Sequence, residues 1–426
     1  MPVTRYAGFQ EELSFGESPA PEALFHLDIA SASLDAKADT MMFYQGGLSR
    51  NTRTFRPGFY SPDGDIAFAT DIKTIGYFLK WALGGYTAPV APGAAADVEI
   101  QTLALGGATG GTYSLSGRGK IIPLAYDASD AQIQTALETM FGDGMVTVDT
   151  GVITFDATIG ISGLTGDLEN LTGATDPSLT ITQAFNPGGF YNHKIFGDEN
   201  NVLPSFCARI GKDIFEHIFQ GCVINSLTIA VEGEFVMMTA GIMSQKDGKT
   251  TIKAIADLTL PDEYPLAFYE VGVEKDGVPL DCKVKAITIE IQNNVGQDSG
   301  RSVGKLHPCR FVCGERVITI SQPKFYETTD SLEELWGSAD APSIYGHEEF
   351  EFKVTLDGQE YGFMEMTFPK CIFTSVAQQP SGRDEIVQEH SIRAMLGEYV
   401  DGEETIDTDV FIDLYNTVED LTREET

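Results

Sequence analysis

The residues best suited to chemistry are few and scattered. His307, Cys309 and Cys313 form HPCRFVC, and a Cys spacing of four can suit zinc. A second ligand pair at similar spacing is absent from the sequence, so the stretch reads as a loop. Glu290 and Glu351 fall on the polar faces of alternating strands and are the candidate pair for acid–base work. Nothing near them marks a substrate pocket, and solvated strand faces account for both. No P-loop, dinucleotide fingerprint or nucleophile elbow occurs. The sequence therefore leads to the expectation of a protein that is not an enzyme, with no catalytic residues, no cofactor and no metal.

Charge is the strongest global signal. The 426 residues carry 63 Asp and Glu against 28 Lys and Arg, a formal net charge of -35. Such a surface repels nucleic acid and anionic membranes, because phosphates and carboxylates share a sign. One stretch runs against this background. Gly46 to Gly64, GGLSRNTRTFRPGFYSPDG, carries Arg50, Arg53 and Arg56 and no acid before Asp63. Its natural partner is an acidic surface on this chain or another copy; solvated loop charge is the plainer account. Cys207, Cys222, Cys282 and Cys371 sit in apolar or β-patterned stretches, where buried reduced thiols are expected. The first 18 residues lack an apolar signal core, and no apolar run reaches the roughly 20 residues that span a membrane. A soluble protein made in a cytosol is expected.

The elements that must position these residues are mostly strands. Gly221 to Ser244 reads as two strands joined at Gly233. Val223, Leu227, Ile229 and Val231 share one face on the way out, and nearly every position is apolar on the way back. A strand apolar on both faces is expected to be covered on both. Lys283–Gln292 shows the sharpest alternation, with Ile287, Ile289 and Ile291 inward and Thr288, Glu290 and Gln292 outward. Further strands are expected over Val317–Gln322, Glu349–Leu356, Tyr361–Phe373, His390–Leu396 and Val410–Leu414. Asp71–Gly84 predicts a helix with Asp71 as N-cap and Gly84 just past its end. SLEELW predicts a short helix over Ser331–Trp336. Residues 1–21 read as an extended arm with little periodicity, packing on a neighbour or disordered.

Composition shifts after Thr87, where TAPVAPGAAA reads as a linker. Residues 97–184 then carry a complete set of strands and one helix, over Ala128–Phe141 capped near Ser129. This segment holds 11 acids and two bases. Asn186–Gly189, NPGG, closes it. An acidic, self-sufficient unit between linkers is expected to be an inserted α+β surface domain, with 1–96 and 185–426 forming the core.

Several of these stretches, in order, resemble the major tail tube proteins of long-tailed bacteriophages. They are RYAGFQEE, SPDGDIAFATDIKTIGYFLKWALG, GCVINSLTIAVEGEFVMMTAGIMS, KAITIEIQNNV and SGRDEI. The segment GTYSLSGRGKIIPLAYDASDAQIQTALETMFGDGMVTV is similar to a small module that recurs as an insertion in tailed-phage virion proteins. The resemblance implies a mainly β fold with minor α: a tail-tube-type β-sandwich or barrel core with one flanking helix. It implies a virion tail protein, assembled in the bacterial host cytoplasm as homohexameric rings stacked into a hollow tube. Its partners would be further copies of itself, the tape measure protein, the tail terminator and the distal or baseplate tail proteins. DNA would pass through the lumen without specific binding. Glu232, Glu290 and Glu351 are then candidate lumen-facing acids, and Arg50, Arg53 and Arg56 candidate inter-ring contacts. A monomeric β-sandwich that binds carbohydrate through exposed aromatics is the alternative.

Overall fold

A computed structural model describes all residues except 1–4, 20–22, 44–53, 91–98, 118–119, 157–158, 160–161, 186–189, 200–201, 261–263, 281–282, 297–299, 327, 344–346, 379–385, 402–403 and 423–426. The protein is mainly β, with three α-helices among the described residues. The expected central hairpin forms from Phe215–Val231 and Met237–Met243, with Val223 opposite Met243 and Ala230 opposite Met237. Asp63–Ala69 pairs the outer edge of Met237–Met243. On the other side follow Ile287–Gln292, Val317–Phe325, Val387–Ala394 and the second half of Gly362–Gln378. The strict alternation of these strands drives the layering. Leu227, Ile229, Met238, Ala240, Ile289, Ile291, Ile318, Ile320 and Ile392 all enter one core cluster, which removes their apolar area from water.

Two strands are long enough to serve two layers. The first half of Gly362–Gln378 pairs Phe350–Asp357 and Phe411–Asn416. The first half of Phe215–Val231 pairs Phe206–Lys212 and Lys246–Thr250, with register shifts where each strand changes layer. Arg5–Glu11 corrects the expectation of an arm. It is hydrogen-bonded between Phe206–Lys212 and Phe25–Leu27, with Ala7 and Phe9 fully buried. The segment lacked strict alternation because both its faces are covered: five consecutive residues, Tyr6 to Gln10, are buried.

Helix α1 spans Ile75–Leu83 with Thr74 at the N-cap position, three residues later than the sequence suggested. Asp71 instead folds a turn ahead of it, its Oδ1 accepting from Lys73 and Thr74 backbone N–H at 2.7 and 3.0 Å. Gly84 follows at φ 85°, where a side chain would be strained. All nine helix residues are buried, so α1 lies inside the core rather than on its flank. Lys80 meets this environment with an ion pair to Glu11 at 2.7 Å, and Trp81 donates to the same carboxylate at 2.9 Å. Cover on both faces of Met237–Met243 is confined to one end, where Met243 packs with Val223, Val295 and Phe311. At the other end Phe235 is exposed, against the expectation.

Residues 100–185 form a separate five-stranded sheet with its own core around Leu115, Leu137, Ile153 and Phe155. Ile100–Gly117 is one 18-residue strand paired along its length with the 21-residue Thr165–Phe185. Gly106, Gly107, Gly110 and Gly111 interrupt the apolar pattern of the first of these, so its full length does not show in the sequence. Helix α2, Asp130–Phe141, starts at Ser129 with a reciprocal cap, Ser129 N–H donating to Gln132 Oε1 at 2.9 Å. The strands on either side of this unit, Gly84–Val90 and Tyr191–Gly197, pair with each other, Val90 opposite Asn192. The chain therefore leaves and re-enters the larger sheet at one place. Residues 87–90 of the first strand belong to the TAPVAPGAAA stretch expected as linker.

Candidate functional site

For a chain whose sequence marks no catalytic constellation, the functional question is which surfaces the fold presents. The first is the solvent face of the central sheet. Alternation puts Thr228, Thr288, Glu290, Gln292, Thr319, Ser321 and Ser391 opposite the core face. Glu290 Oε1 accepts from Gln292 at 2.6 Å, and Glu232, exposed beside Gly233, accepts from Thr288 Oγ1 at 3.0 Å. By register Asp65 and Glu389 share this face. Among the described residues of these strands the one cation on it is Arg393, held by Glu315 at 2.8 Å. Sequence reasoning missed Asp65 and Glu389; the parity of Ile66 and Ile392 would have found both.

The second surface is the outer face of Phe350–Asp357. Glu351 lies here, not beside Glu290. It shares the face with Lys353 and Thr355, while Phe352, Val354 and Leu356 turn into the core. Lys353 is nearly buried and pairs with Glu365 at 3.0 Å. Burial alone would lower the Lys353 amine, but Glu365, Glu274 and Glu351 together hold it above its ordinary value. Burial pushes the Glu351 carboxyl up, against the pull of Lys353. Thr355 and Gly272 on this face line a cleft closed from the other side by Ser116, Gly117, Ser162 and Gly163 of the 100–185 unit. The three acids grouped in the sequence reading thus divide, Glu232 and Glu290 on one surface and Glu351 on the outer face of Phe350–Asp357.

The third and fourth surfaces are the two ends of the central sheet. Ala38–Phe43 and Thr54–Tyr60 pair only with each other and leave the sheet at its Asp63 end. They expose Met41, Phe55 and Arg56. Arg50 and Arg53 lie outside the described residues. At the Gly233 end, Glu232, Glu234, Phe235, Phe268 and Tyr269 are all exposed, tied together by Phe268 N–H donating to Glu234 O at 3.1 Å.

HPCRFVC does not assemble a ligand set. The His307 ring meets Tyr60 edge-on, Cys309 is exposed, and Cys313 packs against the Phe311 cluster. Among the described residues no group of three or more His, Cys, Asp or Glu is placed to hold a metal. Cys207, Cys222 and Cys371 are free and buried; Cys282 lies outside the described residues. Among the described residues no helix is long and apolar enough to cross a membrane.

A mainly antiparallel β protomer with a buried helix, an acidic sheet face and two chemically different ends defines a structural building block. The chain belongs to the phage tail tube protein family, whose profile matches residues 6–344. It is accordingly a structural protein of the virion tail, and the family implies self-assembly into a tube alongside other tail proteins. A comparison with curated proteins finds no match. The strands after 344 lie beyond the matched region, yet Phe350–Asp357, Gly362–Gln378, Val387–Ala394 and Phe411–Asn416 all pair within the core.

Proposed function

We propose that this chain assembles as hexameric rings stacked into a hollow tube, with the Thr- and Glu-bearing face of the central sheet lining the lumen through which DNA is ejected. The observation that carries this reading is the composition of that face. It combines short hydroxyl side chains with Asp65, Glu232, Glu290 and Glu389, against one cation already neutralised by Glu315. Phosphate is repelled at such a wall, and no counterions are released to hold DNA on it, so the polymer slides. Glu351 is not part of this lining, because it lies on the outer face of Phe350–Asp357.

That unit, 97–184 with its linkers, is an inserted domain on the tube exterior. The pairing of its flanking strands supports this, since its removal leaves a hairpin with its ends already together. Stacking joins unlike ends: the Met41, Phe55 and Arg56 hairpin of one copy meets the Glu232 and Glu234 end of the next, with Arg50 and Arg53 as further contacts. Opposite charge there sets register and partner choice more than affinity. The tape measure protein, the tail terminator and the distal or baseplate proteins are the other partners, and assembly takes place in the host cytoplasm.

Negative-stain microscopy of concentrated protein is the test. Rings or tubes with a central channel are expected. A monodisperse monomer under all conditions overturns the reading in favour of a monomeric carbohydrate-binding β protein.

A further inference from the structure

The inner face of the central sheet changes character at the Gly233 end. Along Val317–Phe325 the inward positions run Ile318, Ile320, then Gln322 and Lys324; along Val387–Ala394 they run Ile392, then His390 and Gln388. Gln322 pairs opposite His390, Lys324 opposite Gln388, and Gln378 opposite Gln388, so all five side chains share one face. Gln322, Gln388 and His390 are 2%, 1% and 3% exposed. The Nε2 of Gln322, Gln378 and Gln388 and both ring nitrogens of His390 have no hydrogen-bond partner among the described residues. A buried donor left unmade costs about 1–3 kcal/mol, and native proteins hold only a few such groups. A cluster of this size at one spot points to an occupant.

The charge around it says which kind. Lys275, Lys283 and Lys324 lie close enough for the first two to depress the Lys324 amine, after burial, and Lys275 and Lys324 act likewise on the His390 imidazole. Three lysines thus converge in a chain with more than twice as many acids as bases. Three acids approach: Asp276 lies 3.8 Å from Lys275, and Asp330 and Glu334 both act on Lys324. Glu334 of helix α3, Asp330–Trp336, places Oε1 on Lys275 at 2.6 Å, while its buried Oε2 has no partner. The unmade amide N–H groups call for acceptors, and an occupant that only accepts is the one suited to a site flanked by lysines.

We propose that Gln322, Gln378, Gln388 and His390, with Lys324 and Lys275, form a binding site for a small oxyanion, and that Glu334 is its incomplete internal stand-in. The occupant accepts from the carboxamides and displaces the α3 carboxylate. A free ion and a carboxylate of a second copy carry the same chemistry.

The test is thermal denaturation of the full-length protein at low protein concentration, titrated with inorganic phosphate against sodium chloride of equal ionic strength. Wild type shows saturable stabilisation. Glu334→Gln removes the competitor and binds phosphate about tenfold tighter, equivalent to about 1.4 kcal/mol. The Gln322→Leu/Gln388→Leu double variant keeps side-chain size, removes the unmade donors, and loses the effect; Lys324→Met weakens it without touching the packed amides. Phosphate that also suppresses self-association in wild type, but not in the double variant, identifies a carboxylate of a second copy as the occupant. Phosphate binding without that effect identifies a free ion. A phosphate response no larger than chloride in both wild type and Glu334→Gln, or undiminished in the double variant, overturns the proposal.

Discussion

Two outward faces of the same core solve different problems. The face carrying Glu290 is made of strands whose outer residues make few side-chain bonds and whose acids rest on neutral neighbours. The face carrying Glu351 is knitted by charge: Lys353 sits among Glu274, Glu351 and Glu365 and is largely covered. Carboxylates on the first face are set out toward solvent and so remain available to act at a distance. On the second they are used up in holding one cation. Identical residue types on identical alternation thus acquire opposite roles, because the second face sets a lysine among its acids.

That contrast can be broken by substitution. Lys353→Met leaves three acids facing one another in a half-dry setting and is expected to destabilise the protomer by about 2 kcal/mol or more, read by chemical denaturation. Deleting 97–184 uncovers the Glu351 face but spares the Glu290 face; folded protomers that still form tubes are expected by microscopy, and failure to polymerise would mean the unit helps build the wall. Reversing Arg50, Arg53 and Arg56 together leaves protomer stability unchanged but shortens or abolishes tubes; unaltered tube length removes the stacking assignment.

A pH measurement sharpens the picture of the interior beneath the Glu290 face. Burial pushes the His390 imidazole down to about 4 from its ordinary 6.5. The unfolded chain therefore takes up this proton first, and stability is lost as pH falls from 6.5 toward 4. His26 and His193, also lowered by burial, act in the same sense, while the raised carboxyls of Glu12 and Asp71 oppose them. The difference between wild type and His390→Gln isolates one group: the variant's slope is expected to be shallower by up to about 1.4 kcal/mol per pH unit. Glu290→Gln is the smallest effect, within about 0.5 kcal/mol of wild type, because a solvated strand-face acid carries little folding energy.

Strands with one wet face were legible in the sequence, since Ile287, Ile289 and Ile291 alternate with polar neighbours and the fold obeys that pattern. Segments wet on neither face were not. Arg5–Glu11 is covered on both faces, so no alternation marks which side is inside; α1 shows an apolar stripe at helical spacing, but nothing in that stripe tells that its polar side is buried too, and both were placed at the periphery. Glycine-rich strands such as Ile100–Gly117 hide because pairing, not side-chain pattern, holds them. The acids of the candidate lumen were visible one strand at a time. Their division between two surfaces was not, because it depends on Gly362–Gln378 passing from one layer to the next. The buried strip of glutamines escaped notice for a related reason: polar letters in a strand read as solvent-facing until register shows which way they turn.

The neighbouring positions of Val90 and Asn192 have a consequence for engineering. A guest polypeptide whose own termini lie close together can be spliced between them without stretching its host. Every subunit of the filament would then display one guest at a regular pitch, making the particle a programmable scaffold.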